Sequence, residues 1–236
     1  MIPKKIYRSW KTQNFHPKIA KQIRKMLDIN PDYEQIIYND EQIQDYVYSH
    51  YGKEISNAFN KLNIMTAKVD LWRYLILYEK GGIYLDIDSV INTKISSFLN
   101  DDDDSLITVE KNPELFVQWA LFFQKNHPIL ERVIENVLAN ISKNQYPNDI
   151  INTTGPGVFT NSLQQVHLEN FSKKLQWSSI DESYDKKYRI RNSEYNYRIF
   201  GVDFNKNLSF KYKNTSYLYQ GAKHWKKQEK EINLID

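Results

Sequence analysis

The sequence predicts an α/β fold, one domain with a mostly parallel central sheet. Three observations predict it. Strand-like and helix-like stretches alternate from the N-terminus through residue 88. The apolar period switches within one short stretch, from helical at Val69, Trp72, Leu75 and Ile76 to alternating at Ile83, Leu85 and Ile87. Gly81-Gly82 stands at the switch, where glycine accepts the left-handed conformation that ends a helix. At 236 residues the chain has the length of a single domain with a sizeable core. We assign residues 1–225 to that domain and 226–236 to a charged C-terminal tail.

Residues 4–10 read as the first strand, with Ile6 buried, ending in a ligand-facing loop at Trp10-Lys11-Thr12. Pro17 suits the first turn of a helix whose apolar stripe is Ile19, Ile23, Met26 and Leu27. Asn30-Pro31 stops it, and Glu34 to Tyr38 forms a second strand. Asp40-Glu41-Gln42 opens a helix carrying Ile43, Tyr46 and Val47; a shorter one carries Ile55, Phe59 and Leu62. An amphipathic helix is predicted near residues 66–79, followed by a strand running from Ile83 to Asp88.

Beyond Asp88 the chain reads as loop, through Asn92-Thr93-Lys94 and on to Ser105, with Asp101 to Asp104 as an exposed acidic turn. Leu106 to Val109 is a strand. Leu115 to Phe123 is apolar on both faces and suits either a central strand or a buried helix. His127-Pro128 caps a helix with Ile129, Val133, Ile134, Val137, Leu138 and Ile141 in register. Thr153-Thr154-Gly155-Pro156-Gly157 forms a tight turn that exposes backbone N–H groups and two hydroxyls, or simply a helix entry. Tyr217 to Gln220 reads as a last strand, leading into Gly221-Ala222-Lys223-His224-Trp225.

The strand from Ile83 to Asp88 has a chemical consequence. Asp86 and Asp88 fall on one face of it, about 6 to 7 Å apart, with Ile87 turned to the core. Two carboxylates at a strand end suit a hard divalent cation and a polyol. Asp70 and Arg73, three apart, share a face of the preceding helix and add an acceptor and a bidentate donor if that face turns toward the strand end.

These residues carry a family resemblance. Ala67-x-x-Asp70-x-x-Arg73-Tyr74 followed by Gly81-Gly82-x-Tyr84-x-Asp86-x-Asp88 resembles the DXD glycosyltransferases of family 32. Ile2-Pro3-Lys4-Lys5-Ile6-Tyr7-Arg8-Ser9-Trp10 and Asn30-Pro31-Asp32-Tyr33 resemble the same family, and the match covers about the first hundred residues. A lone DXD is weak, and Asp101 to Asp104 is a decoy; the compound pattern is far more specific. The resemblance implies a GT-A-like, Rossmann-like nucleotide-sugar-binding domain. It implies transfer of a sugar from a UDP- or GDP-sugar to a hydroxyl on a glycan or glycoconjugate, with retention of anomeric configuration. Mn²⁺ or Mg²⁺ would be held by Asp88, with Asp86 acting through water. Asp70, Arg73, Asp86 and Asp88 would form the catalytic group. Trp10, Ala67, Asp70, Arg73, Tyr84, Asp86, Thr154, Gly155 and Trp225 would line the donor site. The family closes its site with a His and Trp segment, which points to His224 as a further metal ligand. Here His224 and Trp225 are adjacent, and the family's longer spacing is not reproduced.

Composition narrows the alternatives. The chain has no cysteine, which removes thiolate nucleophiles and zinc–thiolate sites. A net charge of +3 calls for no nucleic-acid partner. Seventeen tyrosines would suit a sugar-lined cleft but are also ordinary half-buried residues. Residues 173–213 mix Lys, Arg and Tyr, reading as a solvated face, as a patch for a phosphorylated acceptor or an anionic membrane surface, or as platforms for single-stranded nucleic acid, which no accompanying motif supports. Met1 leads into Ile2-Pro3-Lys4-Lys5 without an apolar run, and no stretch is long enough to span a bilayer, so the expectation is a cytoplasmic enzyme, peripheral to a membrane at most. Two rival readings remain. Leu85-Asp86-Ile87-Asp88-Ser89-Val90 also fits the strand end of a haloacid-dehalogenase-type phosphatase, with Asp86 as nucleophile and Asp88 as acid/base. The other rival is a catalytically inactive sugar- or nucleotide-binding module.

Overall fold

The computed structural model describes residues 1–12, 14, 16–111, 114–210 and 224–236. The strand expected at Tyr217 to Gln220 and the residues Gly221 to Lys223 lie outside the described residues. Among these there are nine strands: β1 (Lys5–Ser9), β2 (Glu34–Tyr38), β3 (Gly82–Leu85), β4 (Ser89–Ile91), β5 (Ser105–Val109), β6 (Ala120–Phe123), β7 (Asp185–Arg189), β8 (Asn196–Val202) and β9 (Leu208–Phe210). Eight α-helices accompany them: α1 (Pro17–Ile29), α2 (Asp40–His50), α3 (Lys53–Lys61), α4 (Met65–Lys80), α5 (Pro128–Lys143), α6 (Ile150–Thr153), α7 (Pro156–Phe171) and α8 (Trp225–Gln228).

Seven strands form the central sheet in the order β2-β1-β3-β6-β5-β8-β7. β1 pairs parallel with β2 and β3, and β5 pairs parallel with β8; β6, antiparallel to both β3 and β5, joins the two halves. Strands β1, β2, β3, β5 and β8 therefore share one direction, and the sheet is mostly parallel. Residues 115–123, undecided from their pattern alone, end in the buried central strand β6. The sheet separates two cores by strand alternation. Tyr7 and Tyr84 join the core under α4, α5 and α7, while Ile6, Ile83 and Leu85 face a second one with Phe98 and Phe122.

The helix boundaries follow their local signals. His127 caps α5 by accepting from the Ile129 amide at 3.2 Å, and Asn39 and Gln42 close a capping box on α2. Several expectations are corrected. α4 is not amphipathic: its residues Asp70 to Leu77 are all buried, because the sheet covers one side and α2 and α5 flank it. The stretch after Asp88 is not all loop, since β4 pairs antiparallel with β9. Helix α7 follows the Gly155-Pro156 turn and is buried along most of its faces, which removes the period that would have announced it. Asp103 in the acidic turn is fully buried, 2.9 Å from Arg198. Arg198 is accordingly not part of a solvated face; Lys187 pairs with Asp102 at 2.7 Å, leaving Lys186 and Arg189 exposed on β7. The charged C-terminal segment packs back on the domain, with Leu234 buried and its carbonyl accepting from the Asn63 amide at 2.9 Å. No helix among the described residues is long and apolar enough to cross a membrane.

Candidate active site

The site is built by a helix that reverses directly into a strand. Gly81 caps α4 at φ 64°, its N–H bonded to Leu77 O at 2.8 Å. Gly82 follows at φ 116°, and a Cβ there would stand 2.7 Å from the Lys5 carbonyl. Two glycines thus reverse the chain without a loop and let β3 lie against β1. The consequence for the site is metric. Arg73 stands eight residues before Gly81, about 12 Å at helical rise. Asp86 stands four residues beyond Gly82, about 13 Å at strand rise. The two lengths match, so the middle of α4 comes level with the end of β3.

Arg73 occupies that meeting point. Its Nη2 lies 3.0 Å from Asp70 Oδ1 and 3.4 Å from Asp86 Oδ1, and its Nη1 donates to Gln118 O at 3.1 Å. The guanidinium lies over the Tyr84 ring, 4.4 Å from its centre. Tyr84 OH donates to Asp86 Oδ1 at 2.8 Å and meets Ser9 Oγ at 3.2 Å. Thr154 Oγ1 donates to Asp70 Oδ2 at 3.2 Å. Behind it, Tyr74 OH donates to Thr154 O at 3.1 Å and accepts from Gln118 Nε2 at 2.5 Å, fixing the Thr154-Gly155 turn to α4. Gly155 is the N-cap of α7.

Burial grades these groups. The Asp70 and Arg73 side chains are 5% and 6% exposed, whereas Asp86 keeps 29%. Burial pushes the Asp70 carboxyl up to about 7; Arg73 pulls it down, the nearby Asp86 charge pushes it up, and Thr154 and Gln118 pull it down. Burial works against the Arg73 charge, but Tyr84, Asp70 and Asp86 together hold its pKa above the usual range. Burial likewise raises Tyr84, which stays a neutral donor to Asp86.

The two aspartates of the motif are not on one strand face, as the alternation predicted. β3 ends at Leu85, and residues 86–89 form a turn closed by the Ser89 amide donating to Asp86 O at 2.9 Å. Asp88, 5% exposed, sits within that turn. Ile87 does turn inward, into a small cluster with Ile19 and Ile23, against which Trp10 packs. Trp10 is thereby tied to the turn, and its amide is held by Tyr38 O at 3.0 Å. Ala67 is fully buried on α4.

The C-terminal pair opens α8. His224 caps α8, its Nδ1 accepting from the Lys226 amide at 3.3 Å, and its ring stacks on Trp225, which packs at the edge of the larger core. Among the described residues no three His, Asp or Glu side chains gather closely enough to cage a metal ion, so Asp86, Asp88 and His224 do not form a three-ligand site. The donor chemistry still fits a hard cation. Asp86 and Asp88 offer only oxygen, and magnesium-type ions are commonly held by one or two carboxylates with phosphate and water completing the shell.

Sequence reasoning missed Gln118, which lies far from the motif along the chain, and quoted Tyr74 and Ser9 within the family pattern without giving either a role. It also missed the role of Arg8. Its place two residues from Ile6, on the strand face expected to be buried, was the available clue, since arginine is rarely buried without partners.

Comparison with known proteins came to the same stretch. Residues 17–110 match the model of a glycosyltransferase sugar-binding region containing a DXD motif. The chain is 25% identical over 224 residues to an initiation-specific alpha-1,6-mannosyltransferase of Candida albicans, covering 76% of this chain and 58% of that protein. It is 28% identical over 156 residues to inositol phosphoceramide mannosyltransferase 3 of Schizosaccharomyces pombe, covering 66% of this chain and 43% of that one. It is 27% identical over 191 residues to glycosyltransferase L373 of Acanthamoeba polyphaga mimivirus, covering 78% and 72%. The chain therefore spans about half the length of the yeast relatives it matches. Its fold is similar to that of the PaToxG glycosyltransferase, with a TM-score of 0.56 and 22% identity over 70% of this chain and 69% of that one.

Proposed function

We propose that this chain, which carries the DXD sugar-binding region of the glycosyltransferases at residues 17–110, moves a sugar from a UDP- or GDP-sugar to a hydroxyl of a glycan or glycoconjugate, with retention of anomeric configuration. One observation carries the reading: a buried Asp70–Arg73 pair that meets the partly exposed Asp86 at the carboxyl end of β3, with Asp88 on the adjoining turn. Open α/β sheets bind ligands at the carboxyl ends of their strands. Two curated relatives bear mannosyltransferase in their names, so mannose is the first sugar to test.

Each group has a task in this reading. Asp88, with Asp86 through water, would hold Mn²⁺ or Mg²⁺, which supplies charge stabilisation to the departing diphosphate. Arg73 is already engaged by Asp70, Asp86 and Gln118, so it acts as the clamp that sets both carboxylates. Asp70 accepts a sugar hydroxyl when ionised, oriented by Thr154. Trp10 offers its indole to the base, and the Thr154-Gly155 turn and Trp225 border the donor. The leaving phosphate takes the acceptor proton as the new glycosidic bond forms on the face the diphosphate leaves. Contact with an anionic surface is a lesser part of the proposal and falls to Lys186 and Arg189, since Lys187 and Arg198 are spent in ion pairs.

The phosphatase reading is disfavoured. Its nucleophile would be Asp86, whose Oδ1 is held by Tyr84 OH and Arg73 and so weakened as a nucleophile. The test is a panel of UDP- and GDP-sugars, GDP-mannose included, with and without Mn²⁺, read by thermal shift and donor hydrolysis on wild type and Asp88→Ala. The proposal expects metal-dependent stabilisation and slow hydrolysis of one donor, lost in Asp88→Ala and on chelation. Binding without any turnover would identify an inactive module. Cleavage of a phosphomonoester with no donor binding would overturn the transferase.

A further inference from the structure

Arg8 is fully buried on β1. Its Nη1 donates to two backbone carbonyls, Asp86 O at 2.6 Å and Ser89 O at 2.8 Å. Those carbonyls are the two ends of the turn that carries Asp86 and Asp88. Its Nε donates to Gln35 Oε1 at 2.8 Å, and its Nη2 lies 3.4 Å from Met26 Sδ. The guanidinium plane is thus fixed from β2 and α1 while one of its nitrogens staples the turn.

We infer that Arg8 is a positioning residue, setting the separation and direction of the Asp86 and Asp88 carboxylates through the backbone of the turn between them. The physical case rests on the contacts that Arg8 makes. A four-residue turn closed by one backbone bond is a soft device, because such a bond mostly replaces one made to water. A charged donor shared by both ends adds bonds roughly twice as strong as neutral ones. Lysine cannot reproduce the arrangement, because it has no second and third nitrogen held in a plane. The contact itself stands without any assignment of function; its consequence for ligand binding rests on the glycosyltransferase reading.

The experiment uses the full chain as wild type, Arg8→Lys and Gln35→Ala. It reads hydrogen exchange at the Ser89 amide, which closes the turn, and affinity for UDP and GDP with and without Mn²⁺. Arg8→Lys is expected to speed Ser89 exchange about tenfold or more while the amides of α5 keep their protection. It should weaken Mn²⁺-supported nucleotide binding about tenfold, equivalent to about 1.4 kcal/mol, and leave metal-free binding in place. Gln35→Ala, which frees one edge of the guanidinium at a half-buried site, should move both readings the same way by less. Unchanged Ser89 exchange in Arg8→Lys overturns the inference. So does a parallel fall in α5 protection and metal-free binding, which would mark a residue that only holds the fold. If Arg8→Lys does not fold, Gln35→Ala decides by the same readings. Faster Ser89 exchange in a protein whose wild type shows no Mn²⁺-dependent nucleotide binding would uphold the staple and overturn the transferase.

Discussion

Asp70 and Arg73 lie one helical turn apart and meet inside the protein, Oδ1 to Nη2 at 3.0 Å, with both side chains almost wholly withdrawn from water. Neither would be stable there alone. An unpaired ion in such a place costs several kcal/mol, and the pair is held further by Asp86 and the Gln118 carbonyl on Arg73 and by Thr154 on Asp70.

The Asp70 carboxyl, pushed up by burial to about 7, sets a pH dependence. Its unfolded value is about 3.9. Between those two values the folded protein holds a proton that the unfolded chain has released, so stability falls as pH rises from about 4 to about 7, by up to about 1.4 kcal/mol per pH unit, and is level above that. Asp70→Asn removes this titration. Denaturation measured across pH should show the wild type losing ground to Asp70→Asn through that window. Donor turnover in the wild type should rise with pH through about 7, with no such limb in Asp70→Asn.

Thr154→Val keeps the shape and removes the hydroxyl that stabilises ionised Asp70 at 3.2 Å. The expected result is a rising limb displaced to higher pH and a stability loss of about 1.5 to 3 kcal/mol at pH 8, where the carboxylate is charged. An unmoved limb would show that the hydroxyl does not bear on Asp70.

Arg73→Lys should fold yet lose catalysis. A point charge cannot span Asp70, Asp86 and the Gln118 carbonyl as the planar fork does. A fall in kcat/KM of roughly 100-fold or more, about 2.7 kcal/mol, is expected. Arg73→Ala should in addition destabilise the protein, and because Arg73 pulls the Asp70 pKa down, the buried carboxyl should then keep its proton to a higher pH than in the wild type.

Gly82→Ala tests the reversal between α4 and β3. A side chain at φ 116° is strained, and the added carbon would meet the Lys5 carbonyl at 2.7 Å, a backbone atom of the neighbouring strand that cannot turn aside. We expect a loss of about 2 kcal/mol or more in urea denaturation, together with weakened metal-dependent nucleotide binding because β3 carries the site.

Arg198 tests the basic region. It joins buried Asp103 at 2.9 Å to Asp185 at 2.6 Å. Arg198→Met should cost about 1.5 to 3 kcal/mol, the loss of one charged hydrogen-bond partner, because Lys187 still pairs with Asp103 at 2.8 Å. Lys186→Ala and Arg189→Ala, both exposed, should stay within about 0.5 kcal/mol by the same denaturation assay.

The sequence by itself determined the local parts of this protein. Gly81-Gly82 after a helical period and before an alternating one encodes a helix that turns back into a strand, since those signals act within a few residues. The matching rises of α4 and β3 then bring Arg73 level with Asp86, and the compound motif marked the same residues. Only the tertiary structure decided the rest. Asp86 opens a turn that holds Asp88, so the two do not share a strand face, and Arg8, 78 residues from Asp86, ties down its carbonyl. α4 and α7 are buried on nearly all sides, so their exposure could not be read from an apolar stripe. The protonation of Asp70 depends on Thr154, 84 residues away, and on the water that packing excludes. Periodicity records which way a side chain faces along its own element. It carries nothing about which distant donor meets a carbonyl, or how far burial moves a carboxyl, because those energies arise only when separate elements close on one another.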